Sequence, residues 1–229
     1  MSIKKDEAMQ DILSDFEQLA NLVLNQLDMV EGVISSAQVK IPEDIIASIE
    51  ENEQQIDKKE VKLSEKIVNT IVLYQPVASD LRCIMAAYRM VISLERISDH
   101  VINIVSFLNR LKSPEVFEQL QEVLHNMIIQ ANRMVREALL SFLNDDRELA
   151  IWTVENDIAL EEMNTKLIKK ILRKKRTEDS NRKFLQSIIR IKEVMSNIER
   201  IADHGYNIAT ASIYYLDGKD IRHQHISEK

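Results

Sequence analysis

The chain is predicted to be all-α: two tandem, sequence-duplicated three-helix bundles, six long up-and-down helices in all. Three observations lead there. In 229 residues there are only three Gly and three Pro, which leaves few places to turn and favours long, unbroken helices. Apolar residues recur at three- and four-residue spacing along most of the chain, as on the buried face of a helix. A shift of 104 positions lays one half on the other without a gap, carrying Glu95 onto Glu199, Asp99 onto Asp203, Ile84 onto Ile188, Leu63 onto Leu167 and Leu19 onto Val123. A repeat of that length exceeds solenoid units and reads as a duplicated subdomain.

The elements follow in order. A first helix is predicted from about Asp6 to Ser36, with Phe16, Leu19, Val23, Leu27 and Val30 along one face. SSAQVKIPED is a loop, and Pro42 suits the first turn of a second helix that runs to about Tyr74. Pro76 breaks that helix and is expected to open a third, to about Leu111. Ser113-Pro114-Glu115 supplies a cap, a proline for the first helical position and an acid for the positive end of the helix dipole. The fourth helix ends near Asn144, the fifth runs from about Asp146 to Lys175, and the sixth from about Asp179 to Leu216, with Gly218 as its stop. The predicted units are residues 1–112, residues 113–217 and a flexible tail, 218–229.

Composition narrows the function. A net charge of −7 disfavours nonspecific nucleic-acid binding. A single Cys excludes an intrachain disulfide framework and fits a reducing compartment. No apolar run approaches the ~20 residues that span a bilayer, and MSIKKDEAMQDILSDF turns acidic too early for a secretory signal. A cytoplasmic protein is expected.

The chemistry lies in the acids. LERISDH and IERIADH place Glu95 and Asp99, and again Glu199 and Asp203, four residues apart amid Ile, Leu, Val and Met. On a helix that spacing is about 40° around the axis, so each pair shares a face, and the angles set it in the middle of an apolar one. The second helix brings Glu53 and Asp57; their repeat copies are Asp157 and Glu161. In an antiparallel hairpin, residues equidistant from the turn face each other. Glu53 and Asp57 average to position 55 and Glu95 and Asp99 to 97, with midpoint Pro76, the predicted turn. The second unit balances about Ser180. Four carboxylates meeting at one level, with no base expected nearby, form a site for hard cations, because burying paired anions is costly otherwise. Single acidic pairs at this spacing are common on solvated faces; duplication, apolar flanks and matched height favour metal. Lys192, standing where the first unit has Tyr88, offers Glu199 a neutralising charge without metal.

These residues resemble the PhoU family. The resemblance rests on ENEQQID, LERISD, the run QPVASDLR and the NI after each acid pair, and it covers nearly the whole chain. It implies a cytoplasmic regulator of phosphate uptake without catalysis of its own. Its implied partners are the phosphate-sensing histidine kinase and the phosphate transporter, and through them alone the membrane. It also implies a homodimer and multinuclear iron or zinc clusters. Carried over residue by residue, Glu53, Asp57, Glu95 and Asp99 form one cluster site and Asp157, Glu161, Glu199 and Asp203 the other. The oxygen donors alone suit manganese or magnesium as well. Two departures stand out: the fifth-helix motif ends in Glu161 rather than Asp, and Ser180, Phe184, Leu185 and Gln186 replace the Pro and Asp-Leu-Arg of the first unit.

Other residues are weaker candidates. Asn103 and Asn207, four beyond each Asp, are placed to orient carboxylates, or else to make polar contacts between helices. His100 and His204 point about 100° away from their preceding Asp, toward solvent or an interface. Glu122 and His125 have a di-iron spacing with no duplicate, and His223 and His225 lie in the tail. Asp80 and Arg82 read as helix-end electrostatics, and by resemblance as a partner contact. Lys169, Lys170, Arg173, Lys174, Lys175 and Arg176 suit a helix C-terminus or a membrane or transporter surface. Cys83, matching Ser187, reads as a small packing residue. The competing functions are a regulatory subunit of a sodium–phosphate or other phosphate permease, a carboxylate-metal hydrolase of phosphorylated substrates, and a helical adaptor with solvated acids.

Overall fold

The computed structural model describes residues 2–36, 40–156 and 182–221. Among them are six helices and no strand: α1 (Ser2–Ser35), α2 (Glu43–Tyr74), α3 (Ser79–Asn109), α4 (Pro114–Leu143), α5 (Arg147–Glu155) and α6 (Arg182–Asp217). The predicted fifth helix thus begins as expected, and its stretch from 157 onward lies outside the described residues, as do residues 222–229 of the predicted tail.

Local chemistry explains the boundaries. Asp146 caps α5 by accepting from the N–H groups of Glu148 and Leu149 at 2.9 and 3.2 Å. Gly218 ends α6 at φ +69°, donating its N–H to Tyr214 O at 3.0 Å. Two predicted details change. The third helix opens at Ser79, not at Pro76, because Gln75 and Ala78 adopt φ of 47° and 50° and break the path between the helices. Ser113 stands at the cap of α4, yet its side chain makes no capping bond. There the N–H groups of Lys112 and Ser113 donate to Ser187 Oγ of α6 at 3.1 and 2.9 Å.

α1, α2 and α3 pack on one another, as do α4, α5 and α6, and the halves join along α3–α6 and α1–α4. The predicted α1 face, Phe16, Leu19, Val23, Leu27 and Val30, is fully buried. Each such side chain contributes roughly 1.5–3 kcal/mol relative to exposure. Phe16 meets Phe142 edge-on at 5.2 Å, and Phe142 meets Tyr215 at 5.5 Å, so one aromatic chain ties α1, α4 and α6 together. Buried polar atoms fix the register. Gln26 Nε2 donates to Ile49 O at 3.1 Å, and Asn132 Nδ2 donates to Glu31 of α1.

Candidate metal centre

The link Gln75–Ala78 turns α2 back on α3, and the charges of the acids on the two helices reach one another. The carboxyl of Glu53 is pushed above the usual range, first by burial, then by the charges of Asp57, Asp99 and Glu50. That of Glu95 is pushed up by burial and then by Asp99, with Asp57 and Glu60 adding and Arg96 opposing. Across the hairpin, then, Glu53 feels the charge of Asp99 and Glu95 that of Asp57.

Two expectations about them need correcting. They do not lie in the middle of a buried face. Asp57 is exposed, Glu53 is half-buried, and the side chains of Glu95 and Asp99 keep 25% and 38% of their surface, so the group lies along the rim of the core. The face sketched for α3 includes Ile92, itself 42% exposed. Nor are the acids without a base. Arg96 Nε stands 3.3 Å from Glu95 Oε2, and Arg96 Nη1 donates to Asp99 Oδ2 at 3.2 Å. The sequence reading overlooked this residue, although it stands between the two acids in LERISDH and recurs as Arg200 in IERIADH. Its spacing, one residue after the Glu and three before the Asp, is the signal.

As they stand, no three His, Cys, Asp or Glu side chains among the described residues close around one point for a metal ion. The donor chemistry nevertheless fits a hard cation: the donors are carboxylates only, partly hydrated, and burial, with neighbouring acids second, raises Glu53 and Glu95 above the usual carboxyl range. Convergence would require Glu95 and Asp99 to release Arg96. An exposed ion pair of this kind is worth roughly 0–1 kcal/mol, which a bound cation outweighs.

In the second unit Glu199 is half-buried and Asp203 exposed on α6, while Asp157 and Glu161 lie outside the described residues. Asn103 and Asn207 are both exposed. Asp80 accepts from Lys5 Nζ of α1 at 2.5 Å. Arg82 Nε donates to Tyr215 O at 3.4 Å, at the carbonyl end of α6, where a cation is favoured. His100 and His204 face each other, half-buried, in the α3–α6 interface. Cys83 is a buried packing residue, as expected, its thiol pushed up to about 11 first by burial.

A tandem pair of helical bundles with acids along the rim of the α2–α3 hairpin defines a class: an all-α repeat protein. The chain belongs to the PhoU family, whose domain model matches it twice, over residues 16–108 and 124–212. It is similar to the phosphate-specific transport system accessory protein PhoU homolog of Aquifex aeolicus, 30% identical over 212 residues, covering 93% of this chain and 92% of that one. A homologue of the same description from Pseudomonas aeruginosa is 27% identical over 220 residues, covering 94% and 86%. Two crystal structures share the fold. PhoU from Pseudomonas aeruginosa has a TM-score of 0.81 at 24% identity, covering 93% of this chain and 99% of that one. The phosphate transport system regulatory protein PhoU from Streptococcus pneumoniae has a TM-score of 0.79 at 22% identity, covering 94% and 98%. No described helix is long and apolar enough to cross a membrane.

Proposed function

We propose that this chain is a cytoplasmic regulator of phosphate uptake: a metal-binding adaptor that restrains a phosphate-sensing histidine kinase together with the phosphate transporter it accompanies. The relatives it matches along almost their whole length are named accessory and regulatory proteins of phosphate transport, and none of those names describes a catalyst. The observation that supports the metal reading is the electrostatic coupling of Glu53 to Asp99 and of Glu95 to Asp57 across the α2–α3 hairpin. Glu53, Asp57, Glu95 and Asp99 would hold an oxygen-seeking cation, iron, zinc, manganese or magnesium, once Arg96 swings away. Asp157, Glu161, Glu199 and Asp203 would form the second centre. Such an ion supplies cross-linking charge between α2 and α3, which stiffens the surface offered to partners, and a homodimer presents that surface twice.

Two measurements test this. In a bacterium whose own PhoU-type regulator is deleted, expressing this chain restores repression of a phosphate-starvation reporter in phosphate-rich medium. A reporter that stays fully on overturns the regulatory reading. Metal analysis of the purified chain after incubation with Mn2+, Fe2+ or Zn2+ shows bound ion that falls when Glu95 and Asp99 are replaced by Ala. Unchanged metal content overturns the ligand assignment.

A further inference from the structure

His100 and His204 are counterparts under the 104-residue shift, and the fold brings them face to face. Their ring centroids lie 5.7 Å apart with planes tilted by 31°. The hydrogen bonds around them fix which ring nitrogens are free. Asn197 Nδ2 donates to Glu193 O at 2.8 Å, so its Oδ1 is the atom 2.9 Å from His100 Nδ1. An amide oxygen only accepts; His100 therefore carries its proton on Nδ1 and leaves the Nε2 lone pair available. This is the arrangement by which an amide oxygen orients a metal-binding imidazole. His204 Nδ1 is buried with no hydrogen-bond partner among the described residues.

We propose that His100 and His204 form an imidazole site, spanning the two repeats, for a borderline divalent cation such as Zn2+ or Cu2+. Imidazole nitrogens suit these ions, as carboxylates suit the harder ones of the acidic cluster. Two imidazoles sharing one ion at metal–nitrogen distances of about 2.0–2.1 Å place their ring centroids roughly 5–6.5 Å apart. The observed separation of 5.7 Å falls in that range. No third His, Cys, Asp or Glu joins the pair among the described residues. Water fills the remaining positions, and the ion exchanges readily. Arg96 and Arg200 put positive charge nearby and Asp99 negative charge. Both arginines are exposed on the surface, where water and salt screen them. An ion here would clamp one repeat to the other, a role that does not depend on the acidic cluster.

The test uses the full chain with His125, His223 and His225 replaced by Gln, so that His100 and His204 are the remaining imidazoles. One equivalent of Cu2+ is added and read by pulsed electron paramagnetic resonance, which counts coordinated imidazoles through their remote nitrogens. Two imidazoles per copper are expected. Either His100→Gln or His204→Gln then removes one of them and weakens binding at least tenfold, with helical content checked by circular dichroism. A second measurement needs no variant: saturating Zn2+ should protect His100 and His204 of the natural chain from diethyl pyrocarbonate, read by peptide mass spectrometry. Fewer than two imidazoles on copper in the parent, or full modification of both residues under Zn2+, overturns the proposal.

Discussion

Val101 of α3 and Gly205 of α6 occupy the same position in the two repeats. Val101 is fully buried. At Gly205 an added Cβ would stand 3.3 Å from the backbone of Met134 and Val135. The crossing of α6 over α4 is therefore tight: a side chain there needs the α4 backbone to yield by a few tenths of an ångström. Cys83 and Ser187 make a second such pair: the thiol fills apolar space, while the hydroxyl receives two backbone N–H groups at the start of α4. The lesson is that the copies kept their helical pattern and diverged where their surroundings differ. At the start of α4 the chain coming from α3 needs an acceptor for two backbone N–H groups, and Ser187 supplies it.

The largest expected effect tests the feature the repeats share. Replacing Glu95 and Asp99 by Ala should abolish metal uptake at the first centre while far-ultraviolet circular dichroism stays helical. Replacing Glu199 and Asp203 should remove the second centre alone, so stoichiometry by mass spectrometry separates the two copies.

The next tests the Cys83–Ser187 difference. With its thiol held near 11 instead of 9, Cys83 has about 100-fold less thiolate at pH 8 than a free cysteine, and iodoacetamide should label it correspondingly slowly. The sign for stability follows. Between pH 9 and pH 11 the unfolded thiol ionises and the folded one does not. Its contribution is therefore complete below pH 9 and lost as pH rises through 11. Cys83→Ser should flatten that decline in denaturant titrations; an equal decline in both proteins would exclude the assignment.

A third prediction addresses the close crossing. Gly205→Val forces α6 off the α4 backbone and should cost about 1–3 kcal/mol in urea unfolding. If Gly205→Val were as stable as the parent, the crossing would have to be looser than described.

The smallest effect concerns Arg96. Removing it as Arg96→Gln frees oxygens of Glu95 and Asp99, and the metal dissociation constant should fall by up to about fivefold, since an exposed pair is worth roughly 0–1 kcal/mol. Isothermal titration with Mn2+ decides it, and weaker binding would show that Arg96 supports the ligands rather than competes for them.

Much was legible in the residues alone. Among the described residues, the helices, the α1 core stripe, the start of the fifth helix near Asp146 and the stop at Gly218 follow from local rules, because periodicity, helix-end chemistry and positive φ act within a few residues of themselves. That the acids of α2 and α3 influence one another was legible too, since a short turn brings the two helices back alongside each other. Pro76 misled by two or three residues: proline marks a break, but where the next helix begins was set by the backbone of Gln75 and Ala78. The depth of the acids was misjudged because a helical wheel shows direction and not what lies above it.

The sequence by itself determined an all-helical, duplicated chain and the family that its pattern denotes. Only the tertiary structure decided how exposed those acids are, that Arg96 turns onto them, and that His100 meets His204 across the repeats. Each of these depends on how α3 and α6 pack against their neighbours. Residues about a hundred positions apart meet there through the summed burial of many side chains, which no short stretch of the chain encodes.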